Sequence, residues 1–195
     1  MGRPRRRAWC PPAARCHRLG RPAATQRTIP RAEESLVEVT IRPFRPEDLD
    51  GLFVLDYRCY APPYRFGYQQ LLLTLQQVDL TALVVEGERK GEIVGGLIVR
   101  AERAARQAAI VSLMIEPDHR RLGLGARLVQ WVADYARKSG WQAVVVPLER
   151  GNEAATAFLA AQGFADTGTG GPWFAAPDVG TLWRLSLDEA GASQP

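Results

Sequence analysis

The sequence predicts a single α/β domain with a mixed β-sheet, preceded by a basic tail. Three observations support this prediction: a length of 195 residues, strand and helix periodicities that alternate from Leu36 onward, and a sequence without internal repeats. The predicted order of elements is β-α-α-β-β-β-α-β-α-β-β. Hydrophobic residues make up 46% of the chain and charged residues 24%, which is typical of a globular domain. No run of about 18 apolar residues occurs, so no transmembrane helix is expected.

We expect residues 1–35 to be a disordered tail, because they are rich in arginine and proline and show no apolar periodicity. The positive charge of the chain lies in this tail, and residues 32–195 carry a net charge of about −5. The charge therefore does not indicate a nucleic-acid surface on the folded part. Three explanations of the tail stay open: a transit peptide, a nonspecific basic arm, and an artefact of start-site assignment with the natural start near Leu36. The domain itself is expected over 36–190, with a short C-terminal tail at 191–195.

The three cysteines, Cys10, Cys16 and Cys59, are too few for a disulfide scaffold in a chain of this length. Cys10 and Cys16 also lack the spacing of a zinc site. We therefore expect no metal ion, and a reducing, cytoplasmic compartment.

The first half of the chain predicts a strand, two helices and a hairpin. Val37, Val39 and Ile41 alternate with polar residues, as in a half-buried strand. Pro46, followed by two acidic residues, is typical of the first turn of a helix. The next elements are assigned from composition and periodicity: a proline- and aromatic-rich loop at 59–67, a helix at 68–78, and strands at 80–86 and 93–100 joined by a charged turn.

The second half begins with a buried strand at 108–115 and a strongly amphipathic helix. The apolar stripe of this helix consists of Leu124, Leu128, Trp131, Val132 and Tyr135. Pro147 is expected to stop the next strand after 143–146, and Asn152 to cap a helix that runs to residue 162. The remaining elements are a strand that begins at Phe164, a Gly/Pro-rich loop at 167–178 and a last strand at 181–187.

Two arginines and two glycines lie between the buried strand and the amphipathic helix. Gly123 and Gly125 remove side chains where the backbone must turn into the helix. The N–H groups of the first helical turn, together with the positive end of the helix dipole, favour a phosphate group. Arg120 and Arg121 add positive charge beside it. These residues alone also allow an alternative to phosphate binding, in which the two glycines only form a tight turn.

Two known glycine motifs do not match this segment. A Walker A loop requires Gly-Lys-Ser/Thr, and Ala126-Arg127 stands there instead. A Rossmann fingerprint requires a third glycine at position 128, where this chain has Leu128. A Rossmann fingerprint also follows the first strand of a βαβ unit, whereas this segment follows a hairpin and a fourth strand.

The arrangement Arg120-x-x-Gly123-x-Gly125, directly after residues 113–117, resembles motif A of the GNAT N-acetyltransferase superfamily. The segment from Asn152-Glu153-Ala154-Ala155 to Gly163-Phe164 is similar to a second conserved segment of that family. The resemblance covers residues 37–187 in element order. It implies a mixed, mostly antiparallel β-sheet flanked by α-helices, with strands splayed at an acetyl-CoA site. It also implies an enzyme, an acyltransferase that moves an acetyl group from acetyl-CoA to an amine.

The resemblance further implies which residues bind acetyl-CoA. The pyrophosphate would lie on residues 120–126, and the pantetheine arm would lie like an extra strand between 111–115 and 143–146. Backbone groups of Leu113 and Ile115 would bind the arm, and Asn152 would lie near it. The implied set is Leu113, Met114, Ile115, Arg120, Arg121, Leu122, Gly123, Leu124, Gly125, Ala126 and Asn152. No metal site is implied.

The acid and the base expected from the nearest subgroup, the ribosomal-protein alanine acetyltransferase type, are missing. Pro147 stands where that subgroup has a glutamate as general base, and Leu159 stands where it has a tyrosine as general acid. Glu149 and Tyr60 remain as candidate catalytic residues, with Tyr57 and Tyr64 as further tyrosines near the first helix.

The resemblance places the acceptor between two loops rich in apolar and aromatic residues. These loops hold Tyr60, Pro62, Pro63, Tyr64, Phe66 and Tyr68 in the first, and Trp173 and Phe174 in the second. The alternative is that these residues only close one end of the core. Three functions stay open: acetylation of a protein or peptide amine, which is slightly favoured, acetylation of a small-molecule amine, and acyl-CoA binding without catalysis. We expect no nucleic-acid or membrane partner and leave a homodimer open.

Overall fold

The computed structural model describes residues 25–30, 36–169 and 180–187. The strands in these ranges are β1 (Thr25–Pro30), β2 (Leu36–Pro43), β3 (Leu80–Glu86), β4 (Ile93–Glu102), β5 (Gln107–Ile115), β6 (Ala143–Glu149), β7 (Ala165–Thr169) and β8 (Gly180–Ser186). The helices are α1 (Leu49–Cys59), α2 (Tyr68–Leu75), α3 (Leu124–Lys138) and α4 (Glu153–Ala161). None of these described helices is long and apolar enough to cross a membrane.

The strands form one sheet in the order β1-β2-β3-β4-β5-β6-β8-β7. All neighbouring strands run antiparallel except β5 and β6, which run parallel. A parallel pair needs a crossover connection, and α3 supplies it. The expected mixed, mostly antiparallel sheet flanked by helices is confirmed.

Helices cover both faces of the sheet. Leu52 of α1 and Leu71 of α2 are fully buried in one hydrophobic cluster. Leu128 and Val132 of α3 lie in a second cluster, together with residues of α4. The central strand β4 is buried from residue 93 to 99 because it is covered on both sides. The predicted apolar stripe of α3 therefore faces the core.

Gly96 allows α1 to lie close to the sheet. A Cβ atom at this position would lie 2.5 Å from Cδ1 of Leu52 and 3.0 Å from Cε of Met114. A larger residue would push the helix outward. The close contact brings the C-terminal end of α1, and the loop that follows it, next to β5.

Residues 25–30 form β1, although the sequence predicts a disordered tail over 1–35. Each of the six residues pairs with a residue of β2, from Thr25 opposite Ile41 to Pro30 opposite Leu36. The pairing supplies partners for the open edge of β2, and such a long-range contact leaves no signal in the composition of the tail. Residues 1–24, 31–35 and the predicted C-terminal tail at 191–195 lie outside the described residues.

Pro147 lies inside β6 and does not end it, which corrects a second expectation. The strand continues to Glu149, and Pro147 lies opposite Leu182 of β8. Pairing with β5 has already ended at Val145, so no neighbour on that side requires the missing N–H group of the proline. Other differences are small: α2 ends at Leu75, and β7 extends to Thr169 into the predicted loop.

A buried ion-pair network connects β2, β3 and the start of α1. The two Nη atoms of Arg42 donate to the carboxylate of Asp48 at 2.6 and 2.8 Å, and its Nε donates to Glu86 at 2.7 Å. Asp48 also accepts the N–H of Arg45 at 2.7 Å. Burial by itself would raise the pKa of Asp48, but the hydrogen bonds from Arg42 and Arg45 lower it below its usual value.

We expect Asp48→Ala to lower the free energy of unfolding by about 3 kcal/mol, because it leaves the Arg42 guanidinium buried and without its bidentate partner. Asp134→Ala is the matched control, since Asp134 pairs with Arg137 on the surface of α3 and each side chain is half exposed. This control should lose less than about 1 kcal/mol. Urea denaturation of both variants at pH 7 measures the difference, and equal losses would contradict the assigned role of the network.

Candidate active site

The central feature of the site is a gap between β5 and β6. The two strands pair only where residues 107–109 lie beside residues 143–145. Beyond this point β5 continues along β4 to Ile115, and β6 continues along β8 to Glu149. Each strand keeps its outer neighbour and loses its inner one, so the sheet opens into a wedge.

A β-bulge in β5 lies at the start of the gap. Ile98 of β4 pairs with Ser112 and the next residue, Val99, pairs with Ile110, so Val111 is an extra residue in β5. After the bulge, Leu113 lies opposite Leu97 of β4, and both of its backbone groups bind a side chain from the α1–α2 loop. The bulge therefore helps to direct polar backbone groups into the gap.

Tyr60, the first residue after α1, contacts this edge. Its hydroxyl donates to the carbonyl of Leu113 at 2.9 Å and accepts from the N–H of Leu113 at 3.3 Å. It also accepts from the hydroxyl of Ser112 at 3.4 Å. Burial raises the pKa of Tyr60 above its ordinary value, so the hydroxyl keeps its proton at neutral pH.

The carbonyl of Ile115, two residues further along β5, also has side-chain partners. The thiol of Cys59 lies 3.4 Å from this oxygen, and Nε of Arg120 donates to it at 3.1 Å. Burial raises the pKa of Cys59, which keeps the thiol protonated as a weak donor. Tyr60, Cys59 and Arg120 together cover the edge of β5 that faces the gap.

The segment between β5 and α3 turns sharply into the helix. Arg121 has a φ of 64° and Gly123, the N-cap residue of α3, has a φ of 77°. This left-handed conformation suits glycine at position 123, as the sequence predicts. The first hydrogen bond of the helix runs from the N–H of Arg127 to the carbonyl of Gly123, so the preceding N–H groups of the first turn have no carbonyl within the helix. Arg120 and Arg121 are exposed beside them.

Gly125 also has a packing role that the sequence analysis did not identify. It lies in the first turn of α3, and a Cβ atom there would be 3.2 and 3.3 Å from two ring atoms of Phe158 in α4. The missing side chain therefore makes room for a neighbouring helix, whereas the sequence suggested a turn of the backbone. Only the three-dimensional contact between α3 and α4 reveals this packing role.

Asn152 and Glu149 lie together where β6 leads into α4. Oδ1 of Asn152 accepts the N–H of Ala155 at 3.1 Å, which confirms the predicted N-cap. Its Nδ2 lies 3.5 Å from Oε1 of Glu149, the half-buried last residue of β6. Leu159 is 2% exposed and part of the core, so neither it nor Pro147 offers an acid or a base.

Asp56 is a buried ionisable residue that the sequence reasoning missed. It is fully buried in α1, and its Oδ2 accepts the N–H of Phe66 at 2.9 Å. Among the described residues, its Oδ1 has no hydrogen-bond partner. Burial raises the pKa of Asp56 to about 6, although the Phe66 N–H partly opposes the shift. Its position one turn after Leu52, on the apolar side of the helix, is the signal that could have identified it.

Arg65 fixes the same loop from the other side. Its Nε donates to the carbonyl of Tyr60 at 3.0 Å, and its Nη2 donates to the carbonyl of Tyr57 at 3.2 Å. The guanidinium lies 3.7 Å from the centre of the Tyr57 ring. Asp56 and Arg65 therefore hold the backbone of the predicted acceptor loop against the end of α1. The second predicted acceptor loop, with Trp173 and Phe174, lies outside the described residues.

The family comparison identifies the class to which this geometry belongs. The profile described as "Acetyltransferase (GNAT) family" matches residues 49–164, which is more than half of the chain. The chain therefore belongs to the GNAT family of acetyltransferases, as the sequence motifs imply.

Several known proteins are similar to this chain. The IAA acetyltransferase of Azospirillum brasilense is 33% identical over 104 residues, which cover 52% of this chain and 65% of that protein. The ribosomal-protein-S18-alanine N-acetyltransferase from Escherichia coli has a similar fold, with a TM-score of 0.64 and 19% identity over 80% of this chain and 99% of that one. The PaiA N-acetyltransferase from Thermoplasma acidophilum, solved in complex with coenzyme A, has a TM-score of 0.62 and 16% identity over 76% of this chain and 98% of that one. The match with the curated relative thus spans slightly less than two thirds of that protein's length.

We expect the stability of the protein to fall as the pH rises through 6, because of Asp56. The pKa of Asp56 is about 6 in the folded state against 3.8 when unperturbed, so the protonated carboxyl favours the folded state. This contribution to the free energy of unfolding is complete below pH 3.8 and is lost as the pH rises through about 6. The shift corresponds to about 3 kcal/mol at 1.36 kcal/mol per pH unit. Asp56→Asn should remove this dependence and raise the melting temperature at pH 8. Thermal unfolding between pH 4.5 and 8.5 measures it, with the exposed Asp50→Asn in the same helix as control.

We expect Gly125→Val to lower the free energy of unfolding by about 1–3 kcal/mol, because the new side chain overlaps the ring of Phe158. Combining Gly125→Val with Phe158→Leu should partly restore the free energy of unfolding, because leucine is smaller than phenylalanine. A double-mutant cycle by urea denaturation gives the coupling between the two positions. Strictly additive losses would show that the glycine is required for another reason.

Proposed function

We propose that this protein is an acetyl-CoA-dependent N-acetyltransferase that acts on a primary amine. The observation that carries the proposal is the gap between β5 and β6, because the chain leads from the open end of β5 through residues 116–123 into α3. A pantetheine arm is extended and contains two amide groups, so it can add to the edge of β5 as an extra strand does. Leu113 and Ile115 are the residues whose backbone groups would bind it.

The phosphate end of the donor would bind the segment 120–126. The left-handed residues Arg121 and Gly123 direct the chain into α3, whose first-turn N–H groups and dipole favour an anion. Arg120 and Arg121 are exposed there and supply two positive charges. Met114 is fully buried and supports β5 from the core, so its contribution to the site would come from its backbone alone.

The reaction proposed is direct attack of the amine on the thioester carbonyl. A bond forms between the amine nitrogen and the carbonyl carbon, and the bond from that carbon to sulfur then breaks. The amine loses one proton and the leaving thiolate gains one. The N–H of Leu113, which binds the Tyr60 hydroxyl in this structure, would stabilise the negative charge that develops on the carbonyl oxygen once the donor has replaced that hydroxyl.

Glu149 and Tyr60 are the side chains that we propose for proton transfer. The carboxylate of Glu149 lies at the end of β6 beside Asn152, where a water molecule could link it to the amine. Tyr60 can act only as a proton donor, because its raised pKa keeps it neutral. Neither residue lies at the positions of Pro147 and Leu159, so acid–base catalysis would be weaker than in the subgroup the sequence resembles.

A site with weak base catalysis favours an acceptor whose amine is already neutral. At pH 7 about one α-amine in ten is neutral, against fewer than one lysine side chain in a thousand. We therefore propose a peptide N-terminus or another amine of low pKa as the acceptor. A small-molecule amine of low pKa is the alternative acceptor. A second alternative is acyl-CoA binding without transfer, which is favoured because Pro147 and Leu159 replace the expected base and acid.

We expect acetyl transfer to a peptide with a free N-terminus to exceed transfer to the same peptide with a blocked N-terminus and one lysine by at least tenfold at pH 7, given the neutral fractions above. The rate should rise with pH and level off near the pKa of the acceptor. Release of free CoA between pH 6 and 9 measures both effects, with a small aromatic amine as a third acceptor.

Glu149→Gln should reduce the rate by less than about 100-fold, the lower limit typical for loss of a general base. A larger loss with unchanged acetyl-CoA affinity would show that Glu149 is a true base and that the acceptor need not have a low pKa. Acetyl-CoA binding without transfer to any amine would favour the non-catalytic alternative.

A further inference from the structure

Three side chains occupy the backbone groups at the open edge of β5. Tyr60 binds both the N–H and the carbonyl of Leu113, while Cys59 and Arg120 bind the carbonyl of Ile115. An unpaired strand edge is otherwise open to water or to another strand. The edge that a pantetheine arm would use is therefore already hydrogen-bonded within the protein.

The hydrogen bond at the N–H of Leu113 excludes a second partner. A backbone N–H has one proton, and in this arrangement the proton points to the hydroxyl oxygen of Tyr60. A carbonyl can accept two hydrogen bonds, so the competition is strict only at the N–H. An acyl oxygen or an amide oxygen of the donor can bind this N–H only after Tyr60 has left it.

We propose that Tyr60 sets the affinity for the acyl donor by competing with it for the N–H of Leu113. This inference rests on the proposed function, because it assumes that an acyl-CoA binds along β5. Binding exchanges the hydrogen bonds of Tyr60 for those of the donor. Arg120 takes part in the same exchange, because its guanidinium leaves the carbonyl of Ile115 and becomes available to the phosphate groups.

The hydrogen bonds around Tyr60 indicate which part of the residue moves. Its N–H donates to the carbonyl of Asp56 at 2.9 Å, and its carbonyl accepts from Arg65 at 3.0 Å. The backbone is thus fixed at both ends, whereas the side chain packs at the edge of the hydrophobic cluster below α1 and its hydroxyl contacts Ser112 and Leu113. Rotation of the side chain, with little movement of the loop, is the motion that frees the edge.

We expect Tyr60→Phe to bind acetyl-CoA about tenfold more tightly than the wild type, because removing the competitor raises the binding-competent fraction. Tyr57→Phe is the matched control: it removes an exposed hydroxyl from the same region and keeps the ring on which Arg65 stacks. Its affinity should not change. Isothermal titration calorimetry without an amine acceptor measures all three dissociation constants. Weaker or unchanged binding in Tyr60→Phe would overturn the proposal.

Ser112→Ala provides a second variant that leaves Leu113 and Tyr60 intact. It removes the hydrogen bond that Ser112 donates to the Tyr60 hydroxyl, so it should tighten acetyl-CoA binding in the same direction by about twofold. A change in the opposite direction would contradict competition, because Ser112 would then support binding through β5.

Fluorotyrosine labelling of the wild type reports the motion directly, since the chain has only five tyrosines. The ¹⁹F NMR signal that disappears in Tyr60→Phe should shift when acetyl-CoA is added, and the Tyr57 signal should not. A Tyr60 signal that stays unchanged at saturating acetyl-CoA would overturn the inference while leaving the donor site in place. Failure of the wild type to bind acetyl-CoA would instead overturn the proposed function.

Discussion

The divergence of β5 and β6 is the constraint on which the rest of the structure depends. Each strand remains paired on its outer side, β5 with β4 and β6 with β8, so the sheet can open between them without loss of its outer ladders. The bulge at Val111 and the proline at 147 both lie where inner pairing has ended. A regular eight-stranded sheet would have paired these edges and left no place for an extended ligand.

The elements around the gap divide the site into chemically different ends. The loop before α3 combines exposed arginines with free N–H groups, which suits phosphate. The end of α1 contributes Tyr60 and Cys59, which are neutral groups of low polarity. Charge is thus concentrated at the end proposed for the phosphates, and the region near Leu113 offers mainly backbone hydrogen bonds. This distribution fits a thioester, which is uncharged and needs stabilisation only as its oxygen becomes negative.

The site combines a requirement for stability with a requirement for binding. An open strand edge is a liability, and the side chains that cover it lower the cost of leaving it unpaired. The same contacts must be exchanged when a ligand adds to the edge. Asp56 shows a similar compromise, because a buried carboxyl without a full set of partners holds the loop that carries Tyr60 at the expense of stability above pH 6.

The sequence by itself determined most of the elements and the segment proposed to bind phosphate. The periodicities located β3, α3, β5 and the N-cap at Asn152 to within a residue or two, because these features depend on neighbours a few positions apart. The segment that contains Arg120, Gly123 and Gly125 lies between a buried strand and an amphipathic helix. This placement also follows from residues that are neighbours in the sequence. These local features were enough to indicate the GNAT family and an acyl-CoA as the donor.

Only the tertiary structure decided the features that depend on distant residues. β1 forms by pairing with β2, and Phe158 packs where a side chain of residue 125 would lie. Pro147 is tolerated inside β6 because the pairing of β6 with β5 has already ended. The contact between Tyr60 and Leu113 joins residues 53 positions apart and follows from the close packing of α1 on Gly96. Such contacts are set by how helices and strands pack in space, and the order of residues along the chain carries no direct signal for them.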